Sequence, residues 1–357
     1  MGDTVSLLDE IRSSIRPVDP EVGRRTQALL DEKTKPPGSL GRLEELAVRL
    51  AAARGEEVPA PPVKALVVMA ADHGVAAEGV SAYPPEVTAQ MVANFARGGA
   101  AINVLARAAG ADVVVVDMGV RRPVDAPGVL DRRVGPGTAS FTAGLAMSRA
   151  QAVAAIEAGI ELARDLGRRG VTLLGAGEMG IGNTTSAAAL AACLLGATPE
   201  DLVGRGTGVD EGGLARKREA VRRAVALHGA PGLDPVDALA RVGGFEIAGM
   251  AGLVLGAAER RIPLLVDGFI SGAAALAAVR MMPAAAGYLV LSHRSAEPGH
   301  RLVCEALGQR PLLDLDLRLG EGTGAALAMQ LADAAIRILR EMATFAGAGV
   351  ATRSAGP

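Results

Sequence analysis

Short runs of apolar residues recur along the chain, each bounded by small or polar residues. They cover residues 63–71, 112–116, 171–174, 262–266 and 288–291. Because these runs lack the alternation of apolar and polar positions typical of a strand with one wet face, they predict strands buried on both faces. Alanine-rich stretches with helical patterning lie between them, at 147–165, 184–196, 212–228 and 246–259. Alternating strands and helices predict an α/β fold with a doubly wound, mostly parallel, Rossmann-like sheet flanked by helices.

The first 59 residues are charged and helical in pattern, with apolar residues on a helical period between residues 40 and 54. We expect a helical segment at 1–59, an α/β catalytic domain at 60–335, and a C-terminal helix with a flexible tail at 336–357. The first and last parts would form a smaller helical domain. The basic loop 33–40 (KTKPPGSL) is interpreted from its composition as a solvated linker, and the tail at 347–357 is expected to be disordered.

Composition narrows the class of protein. Apolar residues make up 50% of the 357 residues, with 46 glycines and only 2% aromatics, so a sizeable core must be built from small side chains. The net charge of −2 gives no general attraction to nucleic acid or to an anionic membrane. The two cysteines, Cys193 and Cys304, are typical of core thiols in a reducing compartment. With no signal-like start and no apolar run of about 18 residues, we expect a soluble, cytoplasmic protein.

The stretch 171–190 (VTLLGAGEMGIGNTTSAAAL) combines a strand, a glycine-rich segment and a helix start. We interpret Gly175 to Gly182 as a turn and Asn183 as the helix N-cap. Free N–H groups and the helix dipole at such a junction form an anion site. In that turn lies an acid, Glu178, which is costly beside a phosphate unless it has chemistry to perform or a cation to meet.

Two other interpretations of this stretch remain open. Residues 175–180 (GAGEMG) match the dinucleotide pattern G-x-G-x-x-G, which requires an acid at the end of the next strand, about 20 residues on. Glu200 and Asp201 lie at that distance but within a helix-start sequence with no strand before it. A glycine turn without any ligand is the second alternative.

Polar or small residues follow every predicted strand. The endings are Asp72-His73-Gly74, Asp117-Met118-Gly119, Asp267-Gly268 and Ser292-His293. In open parallel sheets ligands bind outside the carboxyl ends of the strands, so these residues predict one crevice. Taken singly, Asp117 could equally be a helix N-cap, and His73 is more typical of a structural histidine. No zinc-ligand spacing, P-loop or nucleophile elbow occurs, so we expect no metal held by the protein, no P-loop nucleotide hydrolysis and no serine hydrolysis.

Two later glycine-rich stretches carry candidate chemistry. Residues 204–210 (GRGTGVD) precede a helix with Lys217, which is either a second phosphate contact or part of a surface basic helix. In residues 317–324 (LRLGEGTG), Glu321 lies between two glycines just before a helix. Such a carboxylate can approach a ligand closely, although an acid at a helix start often only compensates the dipole.

Several of these motifs together resemble one family, nicotinate-nucleotide–dimethylbenzimidazole phosphoribosyltransferase, an enzyme of the lower-ligand branch of cobalamin synthesis. The matching stretches occur in family order: 33–41, 71–75, 86–91, 177–185, 204–208, 267–269, 292–293 with 295–297, and 319–324. The resemblance implies transfer of the phosphoribosyl group of nicotinate mononucleotide to 5,6-dimethylbenzimidazole. The products would be α-ribazole 5′-phosphate and nicotinate, with inversion at the anomeric carbon. It also implies a homodimer, and no cofactor.

The resemblance assigns roles to individual residues. Glu321 would be the general base, and Glu178 would stabilise the positive charge on the ribose. The phosphate and ribose would be held by Gly180, Gly182, Gly206, Thr207, Gly208, Lys217 and Ser292. The benzimidazole pocket would use Ser81, Tyr83, Gln90 and Met179. An NAD-dependent oxidoreductase and a non-catalytic nucleotide-binding protein remain the rival functions, and nicotinate release on mixing both substrates would separate all three.

Overall fold

The computed structural model describes residues 6–206, 208–230 and 232–351. Within these residues six strands form one sheet. The strands are β1 Lys64–Ala71, β2 Asp112–Gly119, β3 Val129–Asp131, β4 Leu173–Met179, β5 Leu264–Val266 and β6 Leu289–Leu291. Their spatial order is β3-β2-β1-β4-β5-β6, and every neighbouring pair is parallel. The predicted doubly wound parallel sheet is therefore confirmed.

Helices cover both faces of the sheet. The first seven α-helices are α1 Leu7–Ser14, α2 Pro20–Asp31, α3 Arg42–Arg54, α4 Val87–Ala96, α5 Ala101–Ala109, α6 Arg149–Arg168 and α7 Asn183–Leu195. The others described are α8 Pro199–Leu202, α9 Glu211–His228, α10 Pro235–Val242, α11 Phe245–Glu259, α12 Phe269–Met281, α13 Gly299–Ala306, α14 Thr323–Glu341 and α15 Phe345–Ala348. Short 3₁₀ helices occupy Gly74–Glu78 and Pro283–Tyr288. None of the helices described is both long and apolar enough to cross a membrane.

The hydrophobic core is divided between the two faces. Along β1, Val67 and Met69 face the core formed with α6, α7, α11 and α12, while Leu66 and Val68 face the core formed with α3, α4, α5 and α14. Both faces are covered, which explains why the strands appear in the sequence as unbroken apolar runs. Glycine allows α11 and α6 to pack closely, because a Cβ at Gly252 of α11 would overlap the backbone of Ile156 in α6.

The structure corrects the interpretation of residues 175–182 as a turn. Strand β4 continues to Met179, so Gly175, Gly177 and Glu178 lie within the sheet. The glycines are required because the α14 segment packs directly over them: a Cβ at Gly177 would overlap the backbone of Glu321. The N-cap of α7 is Gly182, at φ +96°, and Asn183 is the first helical residue.

The structure adds one strand that the sequence analysis did not predict and decides the position of Asp117. The edge strand β3 escaped prediction because it has three residues, pairs on one side only and is largely exposed, so it shows no apolar run. Asp117 caps no helix; it lies in β2 and accepts hydrogen bonds from the backbone N–H groups of Gly119 and Val120.

The basic loop 33–40 is not a solvated linker. Lys33 and Lys35 are buried. Lys33 Nζ donates to the carbonyl of Met342 at 2.9 Å, and Lys35 Nζ forms an ion pair with Glu44 at 2.9 Å. Composition alone misled here, because buried lysines require partners that lie far away in sequence.

The loop therefore connects the N-terminal helices to the end of the chain. Thr34 N–H also donates to Ala343 at 3.0 Å, α1 packs on α6 and α11, and α3 packs on α14. The domain boundaries expected at residues 59 and 335 stay a prediction. Of the tail expected to be disordered, residues 347–351 are described and begin within α15, whereas 352–357 lie outside the described residues.

Candidate active site

The carboxyl ends of β4, β5 and β6 border a cavity of about 350 Å³. Glu178 reaches it from the end of β4, Asp267 from the residue after β5, and His293 from the segment after β6. The loop before α14 contributes Glu321 to the same cavity. Ligands of doubly wound sheets bind at this edge, so this cavity is the candidate active site.

Glu178 is a buried acid with few compensating partners. Its side chain accepts a short hydrogen bond from the Asn183 amide. Burial raises the pKa of Glu178, and the negative charges of Glu246 and Asp267 raise it as well, each by more than the Asn183 hydrogen bond lowers it, so that the pKa is about 8. Glu178 is therefore mostly protonated at neutral pH.

Glu321 occupies a strained backbone position. It adopts φ +62° between Gly320 at +85° and Gly322 at +89°. A left-handed conformation costs a residue with a side chain about 1–2 kcal/mol, and such strain concentrates at functional sites. Burial raises the pKa of the Glu321 carboxyl, opposed by a long 3.5 Å hydrogen bond from Ile102 N–H at the start of α5.

The two acids arrive from opposite faces of the sheet. Glu178 lies on the β4 face that α11 covers, whereas Glu321 precedes α14 on the other face. The missing Cβ of Gly177 lets the Glu321 backbone rest against β4, and Gly320 lies directly beside Glu178 Oε1. Both acids therefore line one cavity, while their catalytic roles stay predictions.

Asp267 holds the start of α14 in place. Its carboxylate accepts hydrogen bonds from the N–H groups of Gly322 at 3.1 Å, Gly324 at 2.7 Å and Ala325 at 3.1 Å. Burial raises the pKa of Asp267 to about 7 despite these three donors. Burial also lowers the pKa of neighbouring His293 to about 4, so its ring is neutral at pH 7. The sequence analysis placed both residues, as strand endings, at one predicted crevice but gave neither a role in the site.

The anion site predicted from the sequence would lie at the N-terminus of α7, and it stays a prediction. Gly180 and Thr184 line the cavity there. Lys217 of α9 lies behind that wall, almost fully buried, and donates to Thr184 Oγ1 at 3.1 Å. Burial lowers the pKa of the Lys217 amine, so the cation gains from an anion bound close by.

The loop around Gly206 completes this wall. Gly206 lines the cavity at φ +52°, with its N–H donating to Glu297 at 2.8 Å and its carbonyl accepting from Arg318 at 3.1 Å. Glu297 and Arg318 also line the cavity and were not predicted as site residues. The only feature of the sequence that pointed to Glu297 and Arg318 was that they lie in, or next to, the stretches that match the family.

The remaining predicted phosphate residues occupy different positions. Gly182 lies at the N-cap of α7 and Gly208 lines an adjoining cavity of about 380 Å³. The Ser292 hydroxyl donates to the carbonyls of Val266 at 2.6 Å and Asp267 at 2.8 Å, so it fixes the β5 ending rather than lining the cavity. Thr207 lies outside the described residues.

The predicted base pocket is only partly assembled in the single chain. Tyr83 and Met179 line the cavity, and Tyr83 is half exposed at its mouth. Val87 and Met91 of α4 add an apolar wall that the sequence analysis missed, although their spacing of four residues places them on one helix face. Gln90 is exposed and does not line the cavity, and neither does Ser81, whose hydroxyl accepts from Tyr83 N–H at 3.2 Å.

The acid that a dinucleotide site requires is not at the end of a strand. Glu200 lies in α8, exposed and paired with Arg222 at 2.8 Å, not at the end of a strand. The residues 175–180 that matched the pattern are mostly strand, whereas that fingerprint requires a turn entering a helix.

Comparisons with known proteins agree along almost the whole chain. A family model described as "Phosphoribosyltransferase" matches residues 15–350. The nicotinate-nucleotide–dimethylbenzimidazole phosphoribosyltransferase of Geobacter metallireducens is 55% identical over 347 residues, 97% of this chain and 98% of the relative. The protein of that name from Chloroflexus aggregans is 53% identical over 350 residues, 98% of this chain and 99% of the relative.

Solved structures show the same similarity. A crystal structure of the phosphoribosyltransferase of that name from Thermus thermophilus has a TM-score of 0.89 and 54% identity, covering 94% of this chain and 100% of the other. A crystal structure of CobT from the same organism has a TM-score of 0.90 and 56% identity, with the same coverage.

Proposed function

The chain belongs to the nicotinate-nucleotide–dimethylbenzimidazole phosphoribosyltransferase family, and from this premise we propose the reaction and the residues that perform it. The enzyme transfers the phosphoribosyl group of nicotinate mononucleotide to 5,6-dimethylbenzimidazole. Nicotinate leaves and α-ribazole 5′-phosphate forms. The observation that carries the residue assignment is that Glu178 and Glu321 line one cavity beside the start of α7.

Bond changes at the anomeric carbon follow from the substrates. One benzimidazole nitrogen attacks C1′ while the bond from C1′ to the pyridinium nitrogen breaks. The electron pair of that bond neutralises the pyridinium, so nicotinate departs without a proton donor at its ring nitrogen. The other benzimidazole nitrogen must lose its proton, which Glu321 accepts. Attack opposite the leaving group converts the β-linked nucleotide into the α product.

Glu178 stabilises the positive charge that develops on the ribose. As the C1′–N bond lengthens, positive charge moves from the pyridinium to the ribose, and a carboxylate held beside C1′ stabilises it. Glu178 suits this role because it is fixed by Asn183 and its burial keeps water from screening the interaction. The phosphate lies at the α7 N-terminus, with Lys217 as the nearest buried cation.

The apolar side of the cavity suits a flat aromatic base. Met179, Val87 and Met91 form this wall, and Tyr83 lies at the entrance. A methylated benzimidazole gains from burial against such side chains, with sulfur–ring contacts adding a fraction of its binding energy.

Nicotinate release from nicotinate mononucleotide, dependent on dimethylbenzimidazole, tests the reaction. Glu321→Gln should slow turnover by about 100-fold or more, the range for a lost general base, while nucleotide binding stays near wild type. Glu305→Gln, an exposed acid paired with Arg301, is the matched control and should keep wild-type turnover. A wild-type rate in Glu321→Gln would remove Glu321 from the mechanism. Wild-type protein that releases no nicotinate would overturn the proposed function.

The assembly and location follow from the family and the cysteines. We expect a homodimer, so light scattering should give twice the chain mass of 36.1 kDa. A particle of single-chain mass would contradict this. We expect the enzyme to act in the reducing cytoplasm, since Cys193 and Cys304 are free thiols.

A further inference from the structure

A buried histidine–glutamate pair lies beside the active site and has no role in the reaction described above. Glu246, in the first turn of α11, is 0% exposed, and His73 follows β1. His73 Nε2 lies 2.6 Å from Glu246 Oε1. Among the described residues, Glu246 Oε2 and His73 Nδ1 have no hydrogen-bond partner. Because buried polar groups are normally satisfied, this pair retains hydrogen-bonding and electrostatic capacity.

The pair sits directly behind the cavity wall next to Glu178. A Cβ on Gly180, which lines the cavity, would lie 3.2 Å from His73 Nε2, so only a glycine backbone separates the ring from the cavity. Helix α11 packs on the face of β4 that bears Glu178, since Gly249 of α11 lies against Met69, the register partner of Glu178. Glu246 begins that helix above the strand ends.

The charges that face Glu178 are mostly negative. They are Glu246 from α11, Asp267 after β5 and Glu321 before α14, and Glu246 affects the pKa of Glu178 the most of the three. The Asn183 amide opposes these charges by its hydrogen bond to Glu178. Of the other described groups nearby, His73 is bound to Glu246, the His293 ring is neutral, and Arg318 lies on the cavity wall. Across the described residues, no lysine or arginine forms an ion pair with any of these four acids.

We propose that Glu246, held by His73, is a positioning residue that keeps Glu178 protonated in the free protein. Nicotinate mononucleotide is an anion overall, but its pyridinium nitrogen is positive, and binding of this nitrogen beside Glu178 expels the proton to solvent. The inference rests on the proposed function for the identity of the nucleotide. Two nearby buried carboxylates do not both ionise without a cation. The pyridinium ring supplies that cation, and Glu178 is then a carboxylate before the C1′–N bond begins to break.

Proton counting by calorimetry tests the inference. Nicotinate mononucleotide is titrated into the protein without the base, at pH 7, in buffers of different ionisation enthalpy. With a pKa of about 8, Glu178 is about nine-tenths protonated, so it should release about 0.9 proton per nucleotide bound. Asp267, with a pKa of about 7, is about half protonated and adds up to about 0.5 proton. Glu246→Gln keeps an acceptor for His73 but removes the negative charge, so the pKa of Glu178 should fall by about one unit and proton release by about 0.4 proton.

The pH dependence of turnover, measured at a low nucleotide concentration, gives a second test. A variant that had only lost packing would turn over more slowly at every pH, without a shift of the profile. The acid limb of the profile should shift to lower pH in Glu246→Gln by about one unit, because Glu178 then ionises more readily. Glu259→Gln, the same substitution at the other end of α11, removes an acid paired with Arg164 and should leave both the proton count and the limb unchanged.

Either of two results overturns the inference: a wild-type proton count near zero, or equal counts for the wild type and Glu246→Gln. Should Glu246→Gln fail to fold, Glu178→Gln carries the test, and its proton release on nucleotide binding should fall by about 0.9 proton, which leaves at most the share of Asp267. A wild-type count in Glu178→Gln would contradict the inference. Failure of the proposed function is seen separately, as absence of nicotinate release when the benzimidazole is present.

Discussion

Substitution of Gly177 by alanine tests whether β4 positions the Glu321 loop. A Cβ at residue 177 would overlap the carbonyl carbon and oxygen of Glu321 and the nitrogen of Gly322. These are backbone atoms, so no side-chain rotation relieves the overlap. Non-bonded carbon contacts are optimal near 3.5–4.0 Å, so the loop must move by about 1 Å.

The expected magnitude follows from that displacement. A shift of about 1 Å in a reacting group costs about 100-fold in turnover, because the group leaves its productive geometry. Overpacking should also lower the free energy of unfolding by about 1–3 kcal/mol. We therefore expect kcat for nicotinate release to fall about 100-fold, while the KM for nicotinate mononucleotide changes less, because the proposed phosphate contacts come from α7 and from Lys217 of α9.

Gly175→Ala is the matched control on the same strand and the same face. Its Cβ would meet side-chain atoms: Leu66 Cδ2 at 2.5 Å, and Ala325 Cβ and Met329 Cε at 3.2 Å. Side chains can yield, so Gly175→Ala should lose stability but keep most of its turnover. The melting temperature and kcat of both variants are measured together. Equal kcat values in the two variants would refute the argument that Gly177 holds Glu321 in place.

Two further predictions concern charge. Lys217→Ala should weaken nicotinate mononucleotide binding by at least about 10-fold while the benzimidazole affinity stays within about 2-fold, because the buried amine lies at the α7 anion site; equal losses for both ligands in calorimetry would contradict a phosphate role. Stability should fall as pH rises from 6.5 to 8, because the folded-state pKa of Glu178, about 8, exceeds its unfolded value near 4.5, so the stabilising proton is lost through this range. His293 and His300, with pKa values lowered to about 4 and about 3, act below pH 6.5 and in the opposite direction. Thermal melts of Glu178→Gln should show a flatter slope over this range, and an unchanged slope would contradict the assignment.

Features that depend on residues close together in the sequence could be predicted without the structure. The strands were predicted because both faces of the sheet are covered, which leaves short unbroken apolar runs such as 63–71. Glu321 was selected because flanking glycines let its carboxylate approach a ligand closely, and the structure gives all three residues positive φ. The edge strand β3 left no such mark, since it pairs on one side and is largely exposed.

Other features depend on residues that meet only after folding. Gly175 and Gly177 suggest a turn when considered locally, yet they lie in β4 because α14 packs directly over them. The lysines of loop 33–40 suggest solvent, yet Lys35 is buried against Glu44. In each case a distant contact outweighs the local preference.

By itself the sequence determined the doubly wound sheet, the glycine-flanked acids and the family, because hydrophobic periodicity and motif spacing are written along the chain. Only the tertiary structure decided which acids share a cavity and in which protonation state. Glu178, Asp267 and Glu321 line one cavity from three separate elements on both faces of the sheet. Their pKa values depend on burial and on through-space distance, and neither quantity is encoded in the spacing of residues along the sequence.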